Sequence, residues 1–326
     1  MALPNWQQPR LFLPVVDGPL QRWKMAKLYP AYKNVARLYR SILKFRAFSG
    51  SGEIRKTKDN SHSLEAFLKD HFPQPILPVV MLGTPGPTQK VIMQLWHPSR
   101  GIVAYLKYAE KEKACLRLEK EYHVLSKLPS DIGPRPLKKD NIGNGKGLLI
   151  TPVQGKPLSV KLPPHPKIEP LLQQLYSSKK MAIDAHPAIR SLYLRNTEQV
   201  ERWIDVLGQR KWEIVIEHGD FAPWNILQSA SGSISVIDWE YGNHQGFPFL
   251  DLLYYFFQIS FLVKHWSALK ATNYIKAYLK NKIVPGYEDR EITALLIRLL
   301  ILWLMHELES QINPYQLYYK ITRKQK

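Results

Sequence analysis

The sequence predicts an α+β protein of two lobes, a small antiparallel-sheet lobe followed by a larger, mainly helical one, behind an N-terminal helical extension. Three observations carry this. Short β-rich runs crowd between Ile76 and Tyr108, the sequence beyond Leu162-Pro163-Pro164-His165-Pro166 is mostly helical in pattern, and the first stretch is basic and aromatic. With 326 residues the chain exceeds the ~250–300 at which single cores stop growing. The divisions expected are residues 1–70 for the extension, 71–153 for the N-lobe and 154–326 for the C-lobe.

Composition narrows the classes. A 45% hydrophobic and 22% charged content is that of a globular chain and excludes a disordered one. Cys115 is the single cysteine, which excludes an internal disulfide and a thiolate metal cluster. The net charge of +19 invites nucleic acid or an anionic surface as partner. Zinc-finger spacing and RNP-type aromatics are lacking, so nucleic acid is not expected. Met1 to Gln8 has no signal-peptide pattern, and the longest apolar stretch, Leu295 to Met305, is broken by Arg298 and reads as a buried helix. The expected location is the cytoplasm, with the inner face of the membrane as a peripheral site.

In the extension, Arg22, Lys24, Lys27, Lys33, Arg37, Arg40, Lys44 and Arg46 occur with no acid between Asp17 and Glu53. Tyr32, Val35, Ala36, Tyr39, Leu43 and Phe45 recur at near-helical spacing, which predicts an amphipathic helix after Pro30. The preferred reading is a helix packed on the protein with a solvated basic face. The rival is contact of residues 20–48 with anionic membrane, at about 1 kcal/mol per base near the surface.

Gly50 to Asn60 reads as a linker. Leu77–Leu82, Gln89–Leu95 and Ile102–Tyr108 read as strands, separated by the turn-rich stretches Gly83 to Thr88 and His97 to Gly101. Ala114–Leu128 is a helix with Leu118, Tyr122, Leu125 and Leu128 at spacings of three and four. Leu148–Val153 is a further strand. Ile214–Glu217 and Ile234–Ile237 form a hairpin-like pair within the helical region.

The strongest chemical signal is His218-Gly219-Asp220-Phe221-Ala222-Pro223-Trp224-Asn225. It has the form of a kinase catalytic loop, in which an Asp orients or deprotonates the attacking hydroxyl and an Asn four intervening residues on reaches a magnesium ion. After the turn Ser229 to Ser233, the apolar run Ser235-Val236-Ile237 ends in Asp238, a hard oxygen donor suited to Mg2+ bound to a triphosphate. A lone Asp after a strand is usually a turn residue. Its place one hairpin beyond Asp220 and Asn225 favours the metal reading.

These residues, with Ile226, Leu227 and the run Val236 to Tyr241, resemble the aminoglycoside phosphotransferase and choline kinase family of protein-kinase-like small-molecule kinases, whose signature is HGDxxxxNIL followed by a strand ending IDxE or IDxG. The resemblance runs from about Leu77 onward and is strongest between Glu217 and Leu252. It implies a bilobal protein-kinase-like fold, with Asp220 as catalytic residue and Asn225 and Asp238 as metal ligands. It further implies that Asp251 buttresses the loop, that Lys107 binds the α- and β-phosphates, and that Glu121 is its ion-pair partner, with Glu119 as fallback. Gly83, Thr84 and Gly86 would cover the phosphates although GxGxxG is lacking, and Thr151 and Val153 would sit at the adenine hinge, where Pro152 has no N–H to give. Trp239-Glu240 replaces the Phe-Gly of protein kinases, which points away from a protein acceptor. His218 reads as a loop-shaping residue.

The cofactors implied are ATP, with GTP as alternative, and Mg2+. From Tyr241 onward 11 Lys and Arg face 6 Asp and Glu, which disfavours a polycationic antibiotic. The preferred acceptor is a hydroxyl of a sugar or glycan precursor. A choline- or ethanolamine-type kinase would need an ammonium cage, and Trp239, Tyr241, Trp266 and Trp303 are either that or core. Of another class is a catalytically inactive kinase-fold binding module. Retention of Lys107, Glu121, Asp220, Asn225 and Asp238 favours the enzyme.

Overall fold

The structure, a computed structural model, describes residues 1–3, 7, 9–16, 18–26, 34–52, 62–74, 76–193, 201, 207–208 and 211–282. The predicted helix Leu295 to Met305, Trp303, Lys27, Lys33 and most of the predicted linker lie outside them. The chain divides into two compact units, Met1–Ser126 with Gly133–Gln154, and Lys127–Ile132 with Gly155–Lys326.

The first unit is built on one antiparallel sheet. Its strands are β1 (Ala2–Leu3), β2 (Leu11–Phe12), β3 (Leu77–Leu82), β4 (Val91–His97), β5 (Gly101–Ala109), β6 (Pro136–Ile142) and β7 (Gly145–Ile150). They lie in the order β1-β2-β3-β4-β5-β7-β6, and each neighbouring pair is antiparallel. The three strands expected between Leu77 and Tyr108 are present, shifted by at most two residues. No apolar alternation marks β6, whose Pro-Leu-Lys-Lys-Asp-Asn-Ile is polar. As the edge strand it needs neither an apolar face nor regular alternation.

Helices α1 (Pro19–Met25) and α2 (Asn34–Ser49) pack on this sheet. Met25, Leu43 and Ala47 join Leu3, Leu11, Val79 and Met81 in a buried cluster. Arg22 closes the α1–α2 corner: its guanidinium donates to the carbonyls of Ala47 (2.9 Å), Phe48 (3.1 Å) and Val16 (3.2 Å), satisfying acceptors that a helix end leaves open. The helix α3 (His62–Lys69) places Phe67 against Leu95, Ala104, Leu106, Ile142 and Leu149 in a second cluster. The helix predicted over Ala114–Leu128 is α4 (Glu112–Leu125), and its buried Ala114, Leu118, Glu121 and Leu125 form one stripe. Near its start the half-buried Cys115 donates its thiol to the Ala109 carbonyl at 3.3 Å.

The second unit mixes short sheets and helices: β8 (Lys156–Pro157), α5 (Ile168–Gln173), β9 (Tyr176–Ala182), α6 (Pro187–Tyr193), β10 (Lys211–Glu217), β11 (Ile226–Gln228), β12 (Ile234–Val236), β13 (Asn243–Gly246), α7 (Leu250–Phe257), the π-helix Gln258–Val263 and α8 (Ala268–Lys282). The hairpin-like pair is corrected here. Strand β10 pairs with β9 and β13, and β12 pairs instead with β11, so Ile214–Glu217 and Ile234–Ile237 belong to different sheets. Intervening Ile226–Gln228 is too short to announce itself by alternation. Strand β9, Tyr-Ser-Ser-Lys-Lys-Met-Ala, falls where helix was expected and is again a lysine-bearing edge. Among the described residues no helix is long and apolar enough to cross a membrane.

Candidate active site

In the first unit, Lys107 projects from β5 and is 5% exposed. Its ammonium donates to Glu121 Oε1 at 2.6 Å, and Glu121 is fully buried. The stripe of α4 explains the choice of partner, because Glu121 occupies its third position. Glu119 lies off that stripe and is taken by Lys139 and by Lys146, the latter at 2.6 Å. Those lysines, Lys139 first, hold its carboxyl below the usual range.

The loop between β3 and β4 carries Gly83, Thr84 and Gly86. Gly83 donates to the Lys90 carbonyl at 2.9 Å, and a Cβ there would lie 2.7 Å from that oxygen, so the close approach requires glycine. At its tip the Gly86 carbonyl accepts from Lys111 Nζ at 2.8 Å. Past β7, the Thr151 N–H donates to the Arg135 carbonyl (2.9 Å) and its Oγ1 accepts from Arg135 N (2.8 Å). Pro152 has no N–H, so of Thr151, Pro152 and Val153 it is Val153 that keeps a backbone donor to offer.

In the second unit the loop between β10 and β11 is held from three sides. Both oxygens of Asp251, in the first turn of α7, accept backbone N–H groups, His218 at 2.7 Å and Gly219 at 2.9 Å. The buried His218 ring joins its own loop to the β12 end: Nδ1 accepts from Asp220 N (3.1 Å), so the proton sits on Nε2, which donates to the Ile237 carbonyl (2.9 Å). That ring also packs on Trp239, with centroids 4.6 Å apart. Gly219 has φ +79°, and a Cβ on it would come within 2.7 Å of the Tyr241 carbonyl. Thus the His-Gly pair before Asp220 is dictated by packing and backbone conformation.

Asp220 and Asn225 are in contact. Asn225 Nδ2 donates to the Asp220 carbonyl (2.9 Å) and to its Oδ2 (3.0 Å), which leaves the amide oxygen as the Asn225 atom able to meet a cation. The Ile237 N–H donates to the Asn225 carbonyl at 2.8 Å, so the residue before Asp238 is tied to the loop from both its N–H and its C=O. Asp238 itself adopts φ +69°, a left-handed conformation that costs a non-glycine residue about 1–3 kcal/mol and turns the chain sharply after β12.

Burial first, with the charges of Asp238 and Glu240, pushes the Asp220 carboxyl up to about 6 against the hydrogen bonds of Tyr254 and Asn225. Tyr254 was not foreseen. On α7, it donates its hydroxyl to Asp220 and is itself hydrogen-bonded by Gln258, one turn on. In sequence Tyr254-Tyr255-Phe256-Phe257 reads only as an apolar helix, and nothing separates the half-buried Tyr254 from the core Tyr255 except which way the helix faces.

Among the described residues no three His, Cys, Asp or Glu side chains meet so as to hold a metal. Asp220, Asn225 and the neighbouring Asp238 bring two carboxylates and a carboxamide to this part of the unit. A separate cavity of about 320 Å3 is lined by Glu169, Tyr176, Phe247, Phe249 and Asp251 among others.

No protein-family model matches the chain, and no curated protein matches it. Solved structures similar to it include a thermostable mutant of aminoglycoside phosphotransferase APH(4)-Ia in ternary complex with ADP and hygromycin B, at 15% identity and TM-score 0.46 over 79% of this chain and 94% of that one. Aminoglycoside phosphotransferase APH(4)-Ia itself is similar at 14% identity and TM-score 0.45 over 80% and 95%. A fructosamine-3-kinase-like protein from Haemophilus somnus 129PT is similar at 14% identity and TM-score 0.42 over 78% and 91%. All three bear the names of small-molecule kinases.

Proposed function

We propose that the chain is a phosphotransferase that moves the γ-phosphoryl group of ATP, or alternatively GTP, to a hydroxyl of a small molecule, with a sugar or glycan precursor as preferred acceptor. One observation carries the reading. The Asp220 carboxylate, Asn225 and the strand end that bears Asp238 are bound to one another by short hydrogen bonds in a single loop cluster. The acceptor oxygen bonds to phosphorus as the bond from phosphorus to the β–γ bridging oxygen breaks, ADP leaves, and the acceptor proton passes to Asp220.

Mg2+ fits these groups, since Asp238 and the Asn225 amide oxygen are hard donors beside the Asp220 carboxylate. Bound there, it would neutralise phosphate charge. The chain's own share is positioning: Asp220 aligns and accepts the proton of the hydroxyl, Asn225 fixes Asp220, and Lys107, held by Glu121, binds phosphate oxygens. Gly83, Thr84 and Gly86 cover the phosphates, and Val153 offers its N–H to the base. The ammonium cage of a choline-type kinase has less support. Trp239 is fully buried, and Trp266 already carries Lys264 and Lys270 over its ring at 5.5 and 4.8 Å.

In this reading the protein works in the cytoplasm. Its test is ADP release by the purified chain across sugars, amino alcohols and aminoglycosides. Turnover with one class and none with Asp220→Asn supports it; absence of nucleotide binding and of ADP release would sink it.

A further inference from the structure

Helix α2 is apolar on two sides. Leu43 and Ala47 are buried against the sheet, yet the opposite face presents Phe45 (66% exposed), Leu38 (64%), Ile42 (47%) and Phe48. At 100° per residue Leu38, Ile42 and Phe45 follow one another at i, i+4 and i+7 along the solvent side. Leu20 and Trp23 of α1 extend the patch, Trp23 meeting Phe48 edge-on at 6.3 Å. The helix packs on the sheet as expected, but apolar side chains occupy the centre of its outward face.

We infer that this α1–α2 face docks on an anionic lipid bilayer, the apolar residues entering the interface and the bases meeting headgroup charge. Charge complementarity selects this occupant. From Gly18 to Gly52 the chain holds eight bases and no acid, a field suited to anionic headgroups and not to a second copy of the same basic surface. Arg22 is spent on the corner carbonyls. Lys24, Arg37, Arg40 and Lys44 add to the positive field of the two helices, and Lys44 lies over the Trp23 ring at 5.2 Å, a cation with an aromatic anchor. The inference stands apart from the phosphotransferase reading, since every group in it belongs to the first unit and none to the loop cluster.

The test is co-sedimentation of the full chain with vesicles of phosphatidylglycerol and phosphatidylcholine, against phosphatidylcholine alone. The expected result is binding to the anionic vesicles only, weakened by salt. Ile42→Ser with Phe45→Ser should weaken it about tenfold or more, and Arg37→Gln with Arg40→Gln by about fivefold for each base removed. Should the apolar double variant lose its folded circular dichroism, Leu38→Ser replaces it, with a smaller loss expected. Failure of the full chain to bind anionic vesicles at low salt overturns the inference, as does binding indifferent to the face variants. So does light scattering that shows this face holding a dimer with no lipid bound.

Discussion

The Asp251 carboxylate accepts the Gly219 N–H at 2.9 Å across 32 residues of chain, and with its other oxygen the N–H of His218. A buried side-chain acceptor thus sets the path of the backbone that delivers Asp220. Burial, and next the charge of Glu217, push the Asp251 carboxyl up to about 8, so the arrangement is held against its own desolvation cost. Asp251→Asn would turn an NH2 group towards a backbone N–H. Loop misplacement of the order of 1 Å should lower kcat by roughly 10²-fold. Steady-state kinetics should show KM for the nucleotide nearly unchanged.

Because Asp220 must be ionised to take the acceptor proton, kcat/KM should fall as pH drops through about 6. Glu240→Gln removes a negative neighbour and should move this acid limb to lower pH. Tyr254→Phe removes a donor to the ionised form and should move it to higher pH. Opposite shifts in the two pH–rate profiles check the assignment; equal shifts refute it.

Asp220 and Asp238 should separate kinetically. Asp220→Asn should nearly abolish turnover and spare ATP affinity, whereas Asp238→Ala should remove the Mg2+-dependent part of nucleotide binding. Calorimetric titration with and without Mg2+ reads both, and equal loss of ATP binding in the two variants would argue against distinct roles.

Lys107 and Glu121 form a buried pair whose breakage leaves one charge alone, at about 3–5 kcal/mol. Lys107→Met should therefore destabilise the fold strongly. Lys107→Met with Glu121→Leu should recover most of that loss, as judged by urea unfolding, while nucleotide affinity stays low in both.

Trp239, with no exposure, donates to the Val236 carbonyl at 2.9 Å and carries the His218 ring. Trp239→Ala should cost about 3–5 kcal/mol in unfolding free energy. An ammonium-binding role would show instead as a rise in acceptor KM with stability intact.

Much of this was readable before any coordinate. Leu77–Leu82 alternates over an apolar face and appears where expected, and the His218 to Asn225 spacing announced a loop that the hydrogen bonds of Asp251 and Asn225 now explain. What escaped was decided by neighbours distant in sequence. Strands β6 and β9 are polar edges stabilised by partners, and the Ile214 run paired across to Asn243 rather than to the nearer Ile234. Tyr254 differs from Tyr255 only in helix rotation. The outward apolar side of α2 was hidden for the same reason, since near-helical spacing reports that a stripe exists and not which of two stripes the sheet will cover.

The lone thiol has a practical use. Cys115 is half-buried and spends its hydrogen on the Ala109 carbonyl, a weak bond whose loss costs little. A maleimide fluorophore would attach to the natural sequence at one place only, on the helix that bears Glu121. Its emission then gives a calibration-free signal for rearrangement of that helix when a nucleotide is mixed in.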